Sequence, residues 1–235
     1  MIRVQSIDVQ VIRKGIKNLH LGVYPPNGHV RVAVPEHMND ENVRLVIVSK
    51  LAWIKKQQKE FQNQPRQSVR AYVSGECHYF FGKAYRLEVI ERVGKPEVQA
   101  CKSGQLKMFV KPKLEAEQKE KILNEWYRSE LKKVVPELFE KWTKRVGKEA
   151  SWNIRKMKTK WGSCNPDKAS ILLNLELAKK PMECLEYILV HELVHLHERH
   201  HNERFKSLLD KFLPNWKSSR IILNTSPLAF DKWEY

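Results

Sequence analysis

The sequence predicts an α+β fold: a strand-rich N-terminal part packed on a helical core that carries a small sheet. Three patterns predict it. Through residue 112, short runs of alternating apolar and polar residues are separated by Gly- and Pro-containing turns. From about Leu114 to Val146 the apolar spacing becomes helical, and after Gly147 two short strands lead into a helix that opens at Pro181. The expected division is a strand-rich domain with one helix over 1–112 and a second domain over 113–235.

Residues 2–12 alternate as a strand does, and so do Leu19 to Tyr24 and His29 to Val34 around the turn Pro25-Pro26-Asn27-Gly28. Asp40-Glu41-Asn42 offers a helix start, and Val43, Val46, Ile47, Leu51 and Ile54 keep a helical period to about Gln62, before Pro65. Strands are expected again at Gly75–Phe80, Ala84–Arg92, Val98–Cys101 and Leu106–Val110. Their tight turns suggest a meander or small barrel. Pro136 is expected to split or kink the long helix that follows. Trp152 to Lys160 reads as a strand, Trp161 to Pro166 as a turn and Ser170 to Asn174 as a strand. Further helices are expected over about Asn202–Leu213 and Trp216–Leu223. No sequence repeat is visible.

With 235 residues, 42% of them apolar, the chain is long enough to bury a core. No apolar run approaches the roughly 20 residues that span a bilayer. Met1 to Lys14 lacks a signal-peptide block, so a cytoplasmic protein with no membrane partner is expected. The four cysteines form no CxxC pair, and reduced structural thiols are the default. A net charge of +16 attracts polyanions and makes DNA, or proteins bound to it, a candidate partner.

The chemistry lies in His191-Glu192-Leu193-Val194-His195. Residues four apart share a helix face, so His191 and His195 offer two imidazoles to one tetrahedral zinc. Glu192, one step round, is placed to accept a proton rather than to bind metal. Zinc lowers the pKa of a bound water to about 7, which makes Glu192 the candidate general base of a hydrolase, most simply a peptidase. On a continuing helix of about 100° per residue, Glu198 returns to the metal face, while His197 and His200 point away. His201 reaches the zinc only where the helix stops before it. Periodicity leaves Glu198 and His201 both open.

From Met157 to Phe205 the sequence resembles the YgjP-like metallopeptidase family. The resemblance is carried by Met157-Lys158-Thr159-Lys160-Trp161-Gly162-Ser163-Cys164, Ile171-Leu172-Leu173-Asn174, Pro181, Tyr187, and His191 through His201 and Phe205. The family is akin to SprT-like (Spartan) and WLM proteases, so the resemblance implies a zincin-like core for 113–235. It also implies His191, His195 and His201 as zinc ligands, Glu192 as catalytic residue and a protein or peptide substrate. Glu198 then becomes a candidate for orienting a ligand imidazole.

Residues 141–160 hold eight Lys/Arg and one Glu, a net +7. If Trp152–Lys160 is an edge strand beside the substrate, then Arg155, Lys156, Lys158, Lys160 and Trp161 are cleft candidates. Exposed lysines also protect edges from pairing. Gly162 is read as serving the turn, Cys164 as packing or a thiol near the metal, and Asn174 as a buttress of the histidine helix. Tyr187 or the basic strand is a candidate oxyanion partner. His20, His29, His37 and His78 read as surface or satisfied. The rival reading is a basic nucleic-acid or partner-binding module with a structural or vestigial zinc. Glu192 argues against it.

Overall fold

The alternating runs of the first 110 positions form two four-stranded sheets, each with its own core. The computed structural model describes residues 1–24, 28–63, 70–157 and 160–225, with 60–63 as backbone only. They fall into two compact units, the first within Met1–Arg66 and the second within Gln67–Phe230. The boundary expected at 112/113 therefore falls inside the second unit. The physical reason is shared burial: apolar residues on both sides of that position belong to one hydrophobic cluster.

In the first unit, β1 (Ile2–Val4), β2 (Ile7–Lys14), β3 (His20–Tyr24) and β4 (His29–Pro35) pair in the order β1-β2-β4-β3. The outer pairs are antiparallel and the central β2–β4 pair is parallel. One helix was expected over 40–62. There are two, α1 (Asp40–Ser49) and α2 (Leu51–Asn63). Asn39 caps α1 by accepting the Asn42 N–H at 2.9 Å. Lys50 ends it, its N–H turning back to the carbonyls of Ile47 and Val48. Pro25, Pro26, Asn27 and Pro65 lie outside the described residues.

The second unit begins with β5 (Cys77–Phe80), β6 (Lys83–Glu91), β7 (Glu97–Ala100) and β8 (Gln105–Val110). Its order is β5-β6-β8-β7, with β6 and β8 parallel, so it is not the meander expected. Leu87, Leu106, Met108 and Val110 of this sheet meet α3 (Ala116–Val146), a helix of 31 residues. That helix is not split at Pro136. Its buried stripe Leu123, Tyr127, Leu131, Val135, Phe139, Trp142 and Val146 recurs every three or four residues. Burying that stripe outweighs the single hydrogen bond a proline removes.

Then come β9 (Ser151–Arg155), β10 (Gly162–Asn165) and β11 (Ser170–Asn174), paired in the order β10-β11-β9. The strand expected over 152–160 stops at Arg155. Asn174 explains why. Its side-chain amide donates to the carbonyls of Met157 (2.8 Å) and Lys160 (2.7 Å), and its oxygen accepts the N–H groups of Met157 and Glu176. Backbone groups that a longer strand would pair are tied to this side chain instead. Asn174 thus holds the loop before β10 rather than the histidine helix. The segment expected as a turn is β10, an edge strand antiparallel to β11.

A 3-10 turn, Leu175–Lys179, leads to α4 (Met182–Val194), α5 (Glu203–Phe212) and α6 (Trp216–Thr225). The architecture is mixed α+β, with six helices and three small mixed sheets among the described residues. No described helix is long and apolar enough to cross a membrane.

Candidate metal centre

Nine of the thirteen residues of α4 are buried, including Leu185, Leu189, Val190, Leu193 and Val194. A helix buried nearly all round is a rigid base, and it packs against α3, α6, β10 and β11. At its start, the Phe81 N–H donates to Ala178 (2.8 Å) and the β5–β6 turn presses on Pro181 through Gly82. The helix ends at Val194, with His195 as its C-cap. His201 reaches His191 and His195 only where the helix stops before it, and it stops well short of that position.

No glycine ends this helix, so other bonds do. The N–H groups of His197 and Glu198 both reach the Val194 carbonyl, at 2.9 and 3.1 Å. The His197 ring donates from Nε2 to the Val146 carbonyl at the end of α3 (2.8 Å). His195 Nδ1 lies 3.1 Å from the Glu198 carbonyl oxygen. A carbonyl only accepts, so this bond puts the proton on Nδ1 and leaves Nε2 with a free lone pair. Glu198 therefore does touch a candidate ligand imidazole, but through its backbone. Its carboxylate is exposed, accepts the His200 N–H at 3.2 Å, and is held below the ordinary carboxylate range chiefly by that bond.

The turn brings His201 back over α4. Its Nε2 lies 3.0 Å from His191 Nε2, and one nitrogen from each of His191, His195 and His201 lies within 4.8 Å of the others. Zinc–nitrogen bonds of about 2.0–2.1 Å in a tetrahedron separate ligand nitrogens by roughly 3.4 Å, so the donor set fits a divalent ion. His191 Nδ1 is buried without a hydrogen-bond partner, so His191 gains no neutral-state compensation from the fold on that side. Burial, then the neighbouring His195, His201 and Arg220, drive the His191 pKa down to about 3, and burial lowers His195 too. Both imidazoles are thereby kept neutral, the form that binds metal. Asn202 caps α5 and sets Phe205 under the site. The Phe205 ring centre lies 4.9, 4.6 and 4.7 Å from those of His191, His195 and His201.

Glu192 is only 5% exposed. Burial pushes its carboxyl up to about 7, against the pull of the Lys160 charge and a hydrogen bond from the Cys164 N–H. The Cys164 thiol, raised to about 11 by burial and by Glu192, stays protonated. Cys164 thus meets Glu192 through its backbone, and its Sγ is not part of the three-histidine donor cluster.

A cleft of about 510 Å³ runs over the triad. Lys160, Trp161 and β10 up to Cys164 form one wall, and Arg199 lines the cleft as well. Of the cleft candidates, Lys160 and Trp161 line it. Arg155 is exposed at the end of β9 and does not, Lys156 pairs with Glu120 of α3 at 2.8 Å, and Lys158 lies outside the described residues. Tyr187 is buried behind His191, ring centres 5.8 Å apart, and does not line the cleft. Sequence reasoning missed β10 and Arg199 as cleft walls and Phe205 as the floor beneath the imidazoles. The spacing of Phe205 four residues after His201 was the available signal.

The profile of the family described as YgjP-like, metallopeptidase domain, matches residues 17–226. Among solved structures, the chain is similar to the metallopeptidase zymogen abylysin of Pyrococcus abyssi, at 24% identity. That match covers 41% of this chain and 100% of that one, with a TM-score of 0.36. It is also similar to the metallopeptidase zymogen jannalysin of Methanocaldococcus jannaschii, at 19% identity over 38% of this chain and 92% of that one, with a TM-score of 0.34. No curated protein matches significantly.

Proposed function

This chain belongs to the YgjP-like metallopeptidase family, and we propose that it hydrolyses peptide bonds with zinc held by His191, His195 and His201 and with Glu192 as general base. In this reading α4, β10 and β11 form a zincin-like core, and Lys160 and Trp161 flank the substrate. When bound, zinc supplies Lewis-acid polarisation of the scissile carbonyl and acidifies a water. The chain's residues do the rest. Glu192 takes a proton from the attacking water and passes it to the leaving nitrogen. Lys160 and Arg199 stand at the cleft as cations that can face the developing oxyanion.

β10 offers a way to hold an extended peptide. Trp161 O accepts the Asn174 N–H, so the backbone groups of Gly162 and the carbonyl of Cys164 alternate away from β11. A substrate strand pairing there would bind through main-chain bonds and tolerate many sequences.

The observation that carries the proposal is a buried carboxylate one residue from a three-imidazole cluster inside an open cleft. A structural zinc site is closed by four protein ligands and has no use for that carboxylate, which disfavours the rival reading of a nucleic-acid-binding module. Glu192→Gln tests both. Expected is unchanged zinc content with kcat on peptide substrates lowered by about 10³-fold or more. Hydrolysis at the wild-type rate by the Gln variant would sink the proposal. Unchanged nucleic-acid affinity together with no cleavage of any peptide by the wild-type chain would favour the rival.

A further inference from the structure

In the cleft wall, position 162 has no room for a side chain. A Cβ built on Gly162 would lie 2.6 Å from Glu192 Oε1, 2.7 Å from its Cγ and 2.9 Å from its Cδ. Those separations are well inside the 3.5–4.0 Å at which carbon atoms attract. The backbone gives glycine no other reason to be there. Gly162 lies in strand β10 and is not among the residues with positive φ. On such a backbone alanine is ordinarily the better residue, because glycine loses more conformational freedom on folding. So the sequence that reads as a turn glycine holds a glycine for a contact.

Two residues along the strand, the Cys164 backbone faces the same carboxylate and works against burial to lower its pKa. From the contact at position 162 we infer that Gly162 is a positioning residue: the space of its absent side chain is where the Glu192 carboxylate rests. Its catalytic consequence rests on the reading of Glu192 as general base; the packing does not.

A methyl group at 162 would displace the softer partner. β10 is held by its pairing with β11 and by the Asn174 N–H on the Trp161 carbonyl. The Glu192 side chain, though buried, is the more flexible partner, and its displacement moves the proton acceptor out of place. A misplacement of about 1 Å at a reacting group costs on the order of 10²-fold in rate. The triad itself is left alone, because the three imidazoles pack on Phe205.

The experiment compares the full-length wild type, Gly162→Ala, Glu192→Ala and the double variant. Urea midpoints are read on zinc-free protein, and zinc binding and peptide hydrolysis on the loaded protein. Expected is a lower midpoint for Gly162→Ala in the chain that has Glu192. In the Glu192→Ala background the midpoint should be unchanged or higher, since the collision is gone and the glycine penalty is relieved. Zinc affinity should stay within about 3-fold, while kcat falls about 100-fold and KM stays within about 3-fold. Equal midpoint shifts in both backgrounds, or full retention of kcat, overturns the inference. Should Gly162→Ala fail to fold, folding of the double variant supports the contact and failure of both overturns it. If the wild type cleaves no peptide, the peptidase reading is lost, and the midpoints alone decide the contact.

Discussion

The sheets β1–β4 and β5–β8 have the same plan: two antiparallel outer pairs around a parallel central pair. They are buried by different means. The first unit's buried core is Ile2, Val4, Ile7, Val9, Val30, Val32, Val34, Val43, Ile47 and Ile54, all of them β-branched aliphatics. The second unit holds every buried polar side chain among the described residues: His78, Asn174, Glu176, Lys180, Glu192 and Ser219. A sheet that only has to be stable closes on apolar side chains. One that joins a reactive site inherits buried groups that each require a partner.

The largest expected contrast separates metal from core. His201→Ala should weaken zinc binding by more than about 100-fold, beyond the 10–100-fold typical of residues that merely orient a ligand. Ile47→Ala, in the first core, should lower unfolding stability by about 3 kcal/mol and leave zinc binding as it was. Glu198→Ala keeps the carbonyl that holds His195 and should change zinc affinity by less than about 10-fold. Isothermal titration on the three variants checks this, and a greater loss from Glu198→Ala than from His201→Ala would falsify the triad. Next in size is the effect of a chelator. Zinc at a thousandfold above its Kd stabilises by about 4 kcal/mol. Stripping it should speed amide exchange through α4 and α5 and leave β1–β4 unchanged.

The smallest contrast is in pH. Burial foremost, then the Arg70 charge, pushes His78 down to about 4, against the hydrogen bond to Glu76. Its folded pKa lies below the ordinary 6.5, so unfolding takes up a proton between those values. The stability from a neutral His78 is whole above pH 6.5 and is lost as pH falls toward 4, on the order of 2–3 kcal/mol. The difference in urea midpoint between wild type and His78→Asn across that window isolates it from other titrating groups. A constant difference would mean that His78 titrates as it does in water.

The same contrast marks what the sequence makes legible. The i, i+4 spacing of His191 and His195 is local, and the structure keeps it. The position of His201 is not local, because the helix ends by bonds to Val146, 51 residues earlier, and to Glu198's backbone. Only the family resemblance singled it out. β10 was unreadable because Gly-Ser-Cys-Asn has none of the β-branched or aromatic residues that announce a strand. The strands of both four-stranded sheets were legible, but not all of their pairing was. Alternation shows which face is buried and is silent on which neighbour is chosen: the β3–β4 hairpin follows from its turn, while the parallel pairs β2–β4 and β6–β8 leave no local signal. The 112/113 boundary followed composition, and the burial shared by β6, β8 and α3 has no signature along the chain.

One bond carries further than its length. The Val146 carbonyl is among the last four of α3, which have no partner within their own helix. The ring of His197 supplies one, and His197 sits between two candidate ligands in the chain. The end of a rod some 45 Å long, at about 1.5 Å per residue, is thus moored to the turn between His195 and His201. On the proposed reading, removing the metal loosens that turn and frays the mooring, so the last turn of α3 would report metal occupancy from outside the cleft, with no substrate needed.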